Sequence, residues 1–418
     1  MNIWYFHHYA TPYEIPGLHR PFEFGSHFTK TENRIAVFSS SYLHYSGDNM
    51  ITGKEKLLLK EYDGVEAVFV RTCGYENKLN RVNNMIQFAN RLSGAAKWFA
   101  KNRWKPDVIV ASSPHPLTMM AGLKIAKKLG IPCVCEVRDF WPEVFFLGGI
   151  LKEKGLIGKC LLRAERRIYE KADKLVFLKE GDHTYITDHK WDVANGGKID
   201  MSKCEYINNG VDLELFEKRL KENKFQDDDL EQDKFTVVYC GTIRPVNNID
   251  MLLDVAKKFD DDVQFLIFGT GNCVDALKER IEKEHITNVK LKGYVDNQYI
   301  PNILSKSSLN ILNYSGSTYN WSRGNSSNKL FEYLASGKPA LSTVKMGYDI
   351  IERYQCGLSV EQCTADEVAK AIDQIRSLPK EEYELMCKNA KVAAADFDIP
   401  ILAEQYLAVL KNTNKVKK

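Results

Sequence analysis

Lys329 and Glu332 stand three residues apart in Gly324-Asn325-Ser326-Ser327-Asn328-Lys329-Leu330-Phe331-Glu332-Tyr333-Leu334-Ala335-Ser336-Gly337-Lys338-Pro339. At that spacing on a helix the two side chains share a face, so an ammonium and a carboxylate could act on one ligand. The ammonium would neutralise phosphate, and the carboxylate would accept hydrogen bonds from hydroxyls. The small residues at 324–327 would bring the free N–H groups of a first helical turn to bare backbone, a place where anions bind. A second charged pair, Arg138 and Asp139, closes the segment Glu136-Val137-Arg138-Asp139-Phe140-Trp141-Pro142, and His115 sits in Ser113-Pro114-His115-Pro116. Other readings fit as well: a core helix with a solvated Lys–Glu pair, and an Arg138–Asp139 ion pair bracing its loop.

The elements that would position these groups follow from the patterning. Ser326 or Ser327 can cap a helix, Gly337 suits the left-handed residue past its last turn, and Pro339 forbids continuation. Leu330, Phe331 and Leu334 fall on one face, which is therefore buried. Upstream, Asn2–His8 reads as a strand, a loop carries Gly17, Arg20–Thr29 reads as a helix, and Arg34–Ser39 as a strand. Repeated strand–loop–helix units predict α/β architecture with doubly wound parallel sheets, in which ligands bind at the carboxyl ends of strands. Pro106–Ser112 and Pro132–Val137 are such strands, and they run into Ser113 and Arg138. Phe235–Cys240 opens a second set, followed by a loop with Arg244, and Gln264–Phe268 runs into Gly269-Thr270-Gly271. A dinucleotide fingerprint would need a third glycine where Val274 stands, which argues against an oxidoreductase.

The chain has 418 residues, 44% hydrophobic and 27% charged, with formal net charge +3. Single cores stop growing at roughly 250–300 residues, so two domains are expected. So small a net charge gives no reason to expect nucleic acid. Ten cysteines without metal-like spacing fit a reduced chain. No apolar run reaches the roughly 20 residues of a membrane span. The stretch 78–105 is helical in pattern, with seven basic residues, no acid, and Trp98, Phe99 and Trp104. It fits either a basic amphipathic helix on an anionic membrane or a solvated helix whose tryptophans are core.

Together these motifs resemble the retaining glycosyltransferases of family 4, which have the GT-B fold of two Rossmann-like doubly wound domains facing a central cleft. Asn328-Lys329-Leu330-Phe331-Glu332-Tyr333 matches the Asn-Lys-Leu-Phe-(Glu/Asp)-Tyr motif of the branch that builds bacterial surface polysaccharide, O-antigen or capsule. That family's fullest pattern has two glutamates; Glu332 matches the second, and Gly324 stands at the first. Residues 136–142 match the Glu-Val-Arg-Asp-Leu-Trp-Pro segment of the same branch, and Tyr206–Asp212 resembles its Ile-Pro-Asn-Gly-Val-Asp with Asn208 for proline.

The resemblance implies a domain at 1–212, a polar linker at 213–234, a nucleotide-sugar domain at 235–398, and a helix at 399–418 crossing back to the first domain. It implies catalytic roles for Asp139, Arg138, Lys329, Glu332 and His115. Donor contacts are implied for Gly17, Arg244, Gly269, Gly271, Tyr294, Val295, Ser327, Asn328 and Leu330. Gly17 also fits a residue that merely turns the chain. The arginine and lysine usual against the donor diphosphate are missing near Thr242 and Asn247, so Arg244 and Lys329 are the candidates to replace them.

The expected activity is sugar transfer from a UDP-linked donor to a glycan or a polyprenyl-diphosphate-linked acceptor, with no metal or other cofactor. The expected place is the cytoplasmic face of the cell membrane, held peripherally by residues 78–105. A nucleotide-sugar epimerase of the same fold and a non-catalytic nucleotide- or lipid-binding subunit are the alternatives.

Overall fold

The computed structural model describes residues 1–316 and 320–417. It divides into two compact units, Met1–Asn208 with Pro400–Lys418, and Asn209–Ile399.

The first unit runs β1 (Asn2–Phe6), α1 (Arg20–Thr29), β2 (Arg34–Ser40), β3 (Leu57–Tyr62), β4 (Val65–Val70), α2 (Lys78–Asn102) and β5 (Val108–Ser112). It continues with α3 (Pro116–Leu129), β6 (Cys133–Val137), α4 (Trp141–Leu147), α5 (Leu156–Lys171), β7 (Lys174–Phe177), α6 (Thr184–Asp188) and β8 (Cys204–Tyr206). Its sheet has the order β3-β4-β2-β1-β5-β6-β7-β8. β1 is apolar from Ile3 to Phe6 because it is central and covered on both faces. Trp4 and Phe6 point into one layer with Phe38, Phe88 and Phe99. Tyr5 points the other way and meets the Tyr406 ring at 6.4 Å.

Only β3 runs antiparallel, as an edge hairpin with β4. Asp63 and Gly64 both have positive φ at its tip, the geometry for which Asp-Gly is suited. The sequence reading assigned no element here, although the Asp-Gly signal was present.

The second unit contains α7 (Leu213–Glu222), β9 (Phe235–Cys240), α8 (Ile249–Ala256), β10 (Val263–Phe268), α9 (Val274–Lys283), β11 (Val289–Gly293), α10 (Ile300–Lys306) and β12 (Leu309–Leu312). Then follow α11 (Asn328–Ala335), β13 (Ala340–Ser342), α12 (Ile350–Arg353), β14 (Gly357–Ser359), α13 (Ala365–Arg376), α14 (Lys380–Asp396) and α15 (Ile399–Lys417). Its sheet, β11-β10-β9-β12-β13-β14, is parallel throughout. From Pro400 onward α15 belongs to the first unit, where Tyr406 is fully buried between Tyr5, Phe24 and Phe28.

The segment 213–234 is not a linker. Phe216 and Leu230 are buried in the core of the second unit, with Phe225 packed against it. Asp227 and Asp229 pair with Lys292, at 2.7 and 2.5 Å, and Asp229 also pairs with Lys290. Polar composition misled the reading because the acids are neutralised by strand β11 and the few apolar residues lie on one side.

Candidate functional site

In the second unit the loops at the carboxyl ends of three strands close on one another. Gly241 N donates to Phe268 O (2.9 Å), Gly269 N to Gly293 O (2.7 Å) and Ile243 N to Thr270 O (2.9 Å). A Cβ on Gly269 would lie 1.8 Å from the Gly241 carbonyl oxygen, and one on Gly271 would lie 2.0 Å from that of Ile243. Close backbone packing alone therefore requires both glycines of the Gly-x-Gly turn.

α11 is pinned to this edge by Tyr333, whose hydroxyl accepts from Cys240 N (3.0 Å) and donates to Cys240 O (3.2 Å). One turn earlier, Lys329 Nζ donates to the Tyr239 hydroxyl at 3.1 Å and lies 4.7 Å and 5.2 Å from the Tyr239 and Tyr314 ring centres. With the Asn247 amide donating to Thr242 O (2.8 Å), its oxygen accepts from Lys329 Nζ at 3.2 Å. Gly241 makes room: a Cβ there would come within 2.9 Å of Lys329 Cδ. Burial lowers the Lys329 pKa from 10.5 to about 8, while the neighbouring Cys240 and Glu332 act in the opposite sense. The ammonium thus sits among two aromatic faces and neutral oxygens, short of the anion it would most favour.

Glu332 is half-buried on the next turn. Ser327 occupies the N-cap of α11, but its side chain makes no capping bond; its own N–H donates to Asn325 Oδ1 at 2.9 Å. Asn328 is exposed beside it. Arg244 is exposed, and its charge acts on the Tyr239 hydroxyl, opposing the rise that burial causes there. Tyr294 is exposed, and Val295 packs against the core. The Leu330 side chain is buried in the core, with the apolar face of α11 that it shares with Phe331 and Leu334.

The first unit holds a second polar cluster, at the carboxyl ends of β1, β5 and β6. Glu136 is fully buried and accepts from Tyr5 (2.8 Å), Ser112 (2.7 Å) and Arg20 (3.0 Å). Arg20 also donates to Ile207 O (2.9 Å) and Asn208 O (2.5 Å). Burial alone would raise the Glu136 pKa, but Arg20, Arg138 and the two hydroxyls outweigh it and hold it at about 2. The first residue of the Glu-Val-Arg-Asp motif is therefore a brace between strands and helix.

Arg138 N donates to Ser113 Oγ at 2.8 Å, and its Nη1, though buried, has no hydrogen-bond partner among the described residues. Asp139 is exposed; protein packed on one side raises its pKa, against Arg138 and Lys179.

His115 is fully buried at the start of α3. Its Nε2 lies 2.6 Å from His8 Nδ1, and His8 Nε2 lies 2.6 Å from Asn84 Oδ1. Burial lowers all three neighbouring imidazoles, His7 and His115 to about 3 and His8 well below its usual value, so they are neutral. Both His7 ring nitrogens, His115 Nδ1 and Thr11 Oγ1 are buried without a partner among the described residues. Gly17 lies against Thr11, where a Cβ would overlap Oγ1 at 2.1 Å, so it serves the closure of the loop after β1.

The sequence reading gave no role to His7, His8, Asn84, Glu136, Tyr239 or Asn247. The signal available was a pair of histidines ending an otherwise apolar strand. A groove of about 800 Å³ between α3 and α5 lies on the flank of this unit and holds none of these residues. Among the described residues no group of three or more His, Cys, Asp or Glu side chains is placed to hold a metal ion.

The aromatics singled out in 78–105 divide between core and surface. Phe99 and Trp104 are buried in the core with Trp4, and of the three aromatics only Trp98 is exposed.

Two Rossmann-like α/β units with polar strand ends define a GT-B fold. Residues 221–393 match the family described as glycosyl transferases group 1, and residues 59–195 match the glycosyl transferase 4-like domain. The first match lies within the second unit and the other within the first.

Among solved structures it is similar in fold to sucrose-phosphate synthase from Thermosynechococcus elongatus, at 14% identity and TM-score 0.73 over 100% of both chains. Anabaena HepE in complex with UDP-glucose aligns at 15% identity and TM-score 0.64, over 99% of this chain and 100% of that one. WaaG, a glycosyltransferase involved in lipopolysaccharide biosynthesis, aligns at 13% and 0.66, over 98% and 99%. A 41.2 kDa uncharacterized protein in the cps region of Klebsiella pneumoniae is 27% identical over 113 residues, 27% of this chain and 30% of the relative.

Proposed function

We propose that the protein is a retaining glycosyltransferase that moves a sugar from a UDP-sugar to a glycan or lipid-linked acceptor of a bacterial surface polysaccharide. The observation that carries this reading is Lys329, an ammonium held between two tyrosine rings at the first turn of α11, one turn before Glu332. In the reaction the sugar–phosphate bond breaks and charge grows on the leaving diphosphate. Lys329 and the first-turn amides of α11 would stabilise that charge, with Arg244 adding to the field. Glu332 would hold the ribose by accepting from its hydroxyls.

The proton of the acceptor hydroxyl would pass to the leaving phosphate, so the chain supplies no nucleophile. The unpartnered buried polar atoms of His7, His115 and Arg138, with Asp139, would bind the hydroxyls of the transferred sugar or the acceptor. We propose that this requires no metal and takes place at the inner face of the cell membrane. The Anabaena complex with UDP-glucose and the cps-region relative support the donor and the pathway class.

The test is incubation with a panel of UDP-sugars in EDTA, with and without lipid-linked glycan. Free UDP with a new glycoside that keeps the donor's anomeric configuration is expected, and Asp139→Asn should lower turnover. An isomerised donor without free UDP would identify an epimerase instead. Binding of nucleotide with neither product would identify a non-catalytic subunit.

A further inference from the structure

The corner between α4 and α5 presents an apolar surface that the fold does not use. Val144, Leu147, Ile150, Leu156 and Ile157 are 44–79% exposed, within a stretch of chain that folds tightly on itself. Ile150 N and Leu151 N both donate to Phe145 O (2.9 and 3.2 Å), Gly155 N to Lys152 O (3.0 Å) and Lys159 N to Gly155 O (3.0 Å). Gly158 lies so close to the loop that a Cβ would meet the Lys152 carbonyl oxygen at 2.4 Å. These bonds set the shape of the corner, while its aliphatic side chains face water. Exposed apolar clusters of this kind mark an interaction surface.

The charge around the cluster indicates the partner. Lys152, Lys154, Lys159 and Arg163 are exposed, and none forms an ion pair among the described residues. Glu153 is the single acid between Val144 and Arg163. Further along α5, Glu165 is buried against Tyr169 and Tyr185, and Glu170 pairs with Arg166. Aliphatic side chains ringed by unpaired, long basic ones match a bilayer with anionic headgroups, the chains entering the interface and the bases snorkelling to phosphate. No helix among the described residues is long and apolar enough to cross a membrane, so the contact is interfacial.

We propose that the α4–α5 corner, rather than α2, docks the protein on an anionic lipid surface. The proposal goes beyond the transfer reaction and needs neither donor nor acceptor, so its failure bears on where the protein sits and leaves the transfer chemistry untouched.

The full chain is sedimented with vesicles of phosphatidylcholine alone or with about 30% phosphatidylglycerol. Binding should require the anionic lipid and fade by about 0.5 M salt, where screening lengths fall to a few ångströms. Leu156→Glu/Ile157→Glu and, separately, Lys152→Glu/Lys154→Glu/Lys159→Glu should each reduce it at least tenfold with the melting temperature unchanged. Lys97→Glu/Lys101→Glu, on α2, should retain binding.

The proposal is overturned by equal binding to neutral vesicles, by no binding to either, or by full binding in both corner variants. Loss of binding in the α2 variant alone also overturns it. So does a dimer in sedimentation velocity that Leu156→Glu/Ile157→Glu dissociates, since the occupant would then be a second copy of the chain.

Discussion

Lys329 Nζ donates to the Tyr239 hydroxyl at 3.1 Å and lies 4.7 Å from the centre of the same ring. A cation so placed is stabilised by the ring face and oxygen dipoles but lacks the full counter-charge that its loss of water calls for. Its pKa falls to about 8, and an anion bound beside it would raise it again.

Between about 8 and the ordinary value of 10.5 the unfolded chain binds more protons at this lysine than the folded one. Stability of the free protein should therefore rise with pH through that window. Lys329→Met should stabilise the protein at pH 7 by up to about 3 kcal/mol, less to the extent that water still reaches the side chain. A bound diphosphate restores the charge, so UDP binding near pH 8 should take up about half a proton. Calorimetry in two buffers of different ionisation enthalpy measures it. No proton uptake, together with flat affinity from neutral to alkaline pH, would mean that the phosphates bind elsewhere.

Glu332→Ala should weaken UDP binding by about 1.5–3 kcal/mol, the worth of hydrogen bonds to a charged acceptor. Affinity for inorganic diphosphate should change far less, because the carboxylate is assigned to the ribose. Equal loss for both ligands in calorimetry would assign Glu332 to the phosphates, and no loss for either would remove it from the site.

The buried Arg20–Glu136 pair should govern acid stability of the first unit. Glu136 titrates at about 2 folded against 4.5 for an unperturbed glutamate, so its contribution is complete above about 4.5 and is lost as pH falls toward 2. Glu136→Gln leaves the Arg20 cation buried without its partner and should cost about 3–5 kcal/mol. Urea titrations at neutral and acid pH should show the difference between wild type and variant shrinking in acid. A constant difference would show that the charge is not what matters.

Gly269→Ala should destabilise the second unit by at least about 2 kcal/mol, through overlap with the Gly241 carbonyl and a φ of +141° that favours glycine. Any loss of nucleotide affinity should follow from that unfolding and vanish in stabilising osmolyte. A variant of normal stability with lost UDP binding would instead make Gly269 a direct donor contact.

The sequence by itself determined the α/β class, the doubly wound parallel sheets and the exact span of α1. Those features are written in local periodicity, in caps, and in wholly apolar strands that only a covered sheet produces. It also singled out Lys329, because charge spacing on a short helix is a local property.

Tertiary structure alone decided what surrounds each charge. That Lys329 faces Tyr239, ninety positions away, and that Glu136 joins Tyr5, Arg20 and Ser112, depends on which strands become neighbours. The sorting of Phe99 and Trp104 into the core while Leu156 and Ile157 stay in water was equally beyond the composition of either segment. Amphipathic pattern shows that a helix has two faces, but the partner element determines which apolar residues it covers and which it leaves exposed.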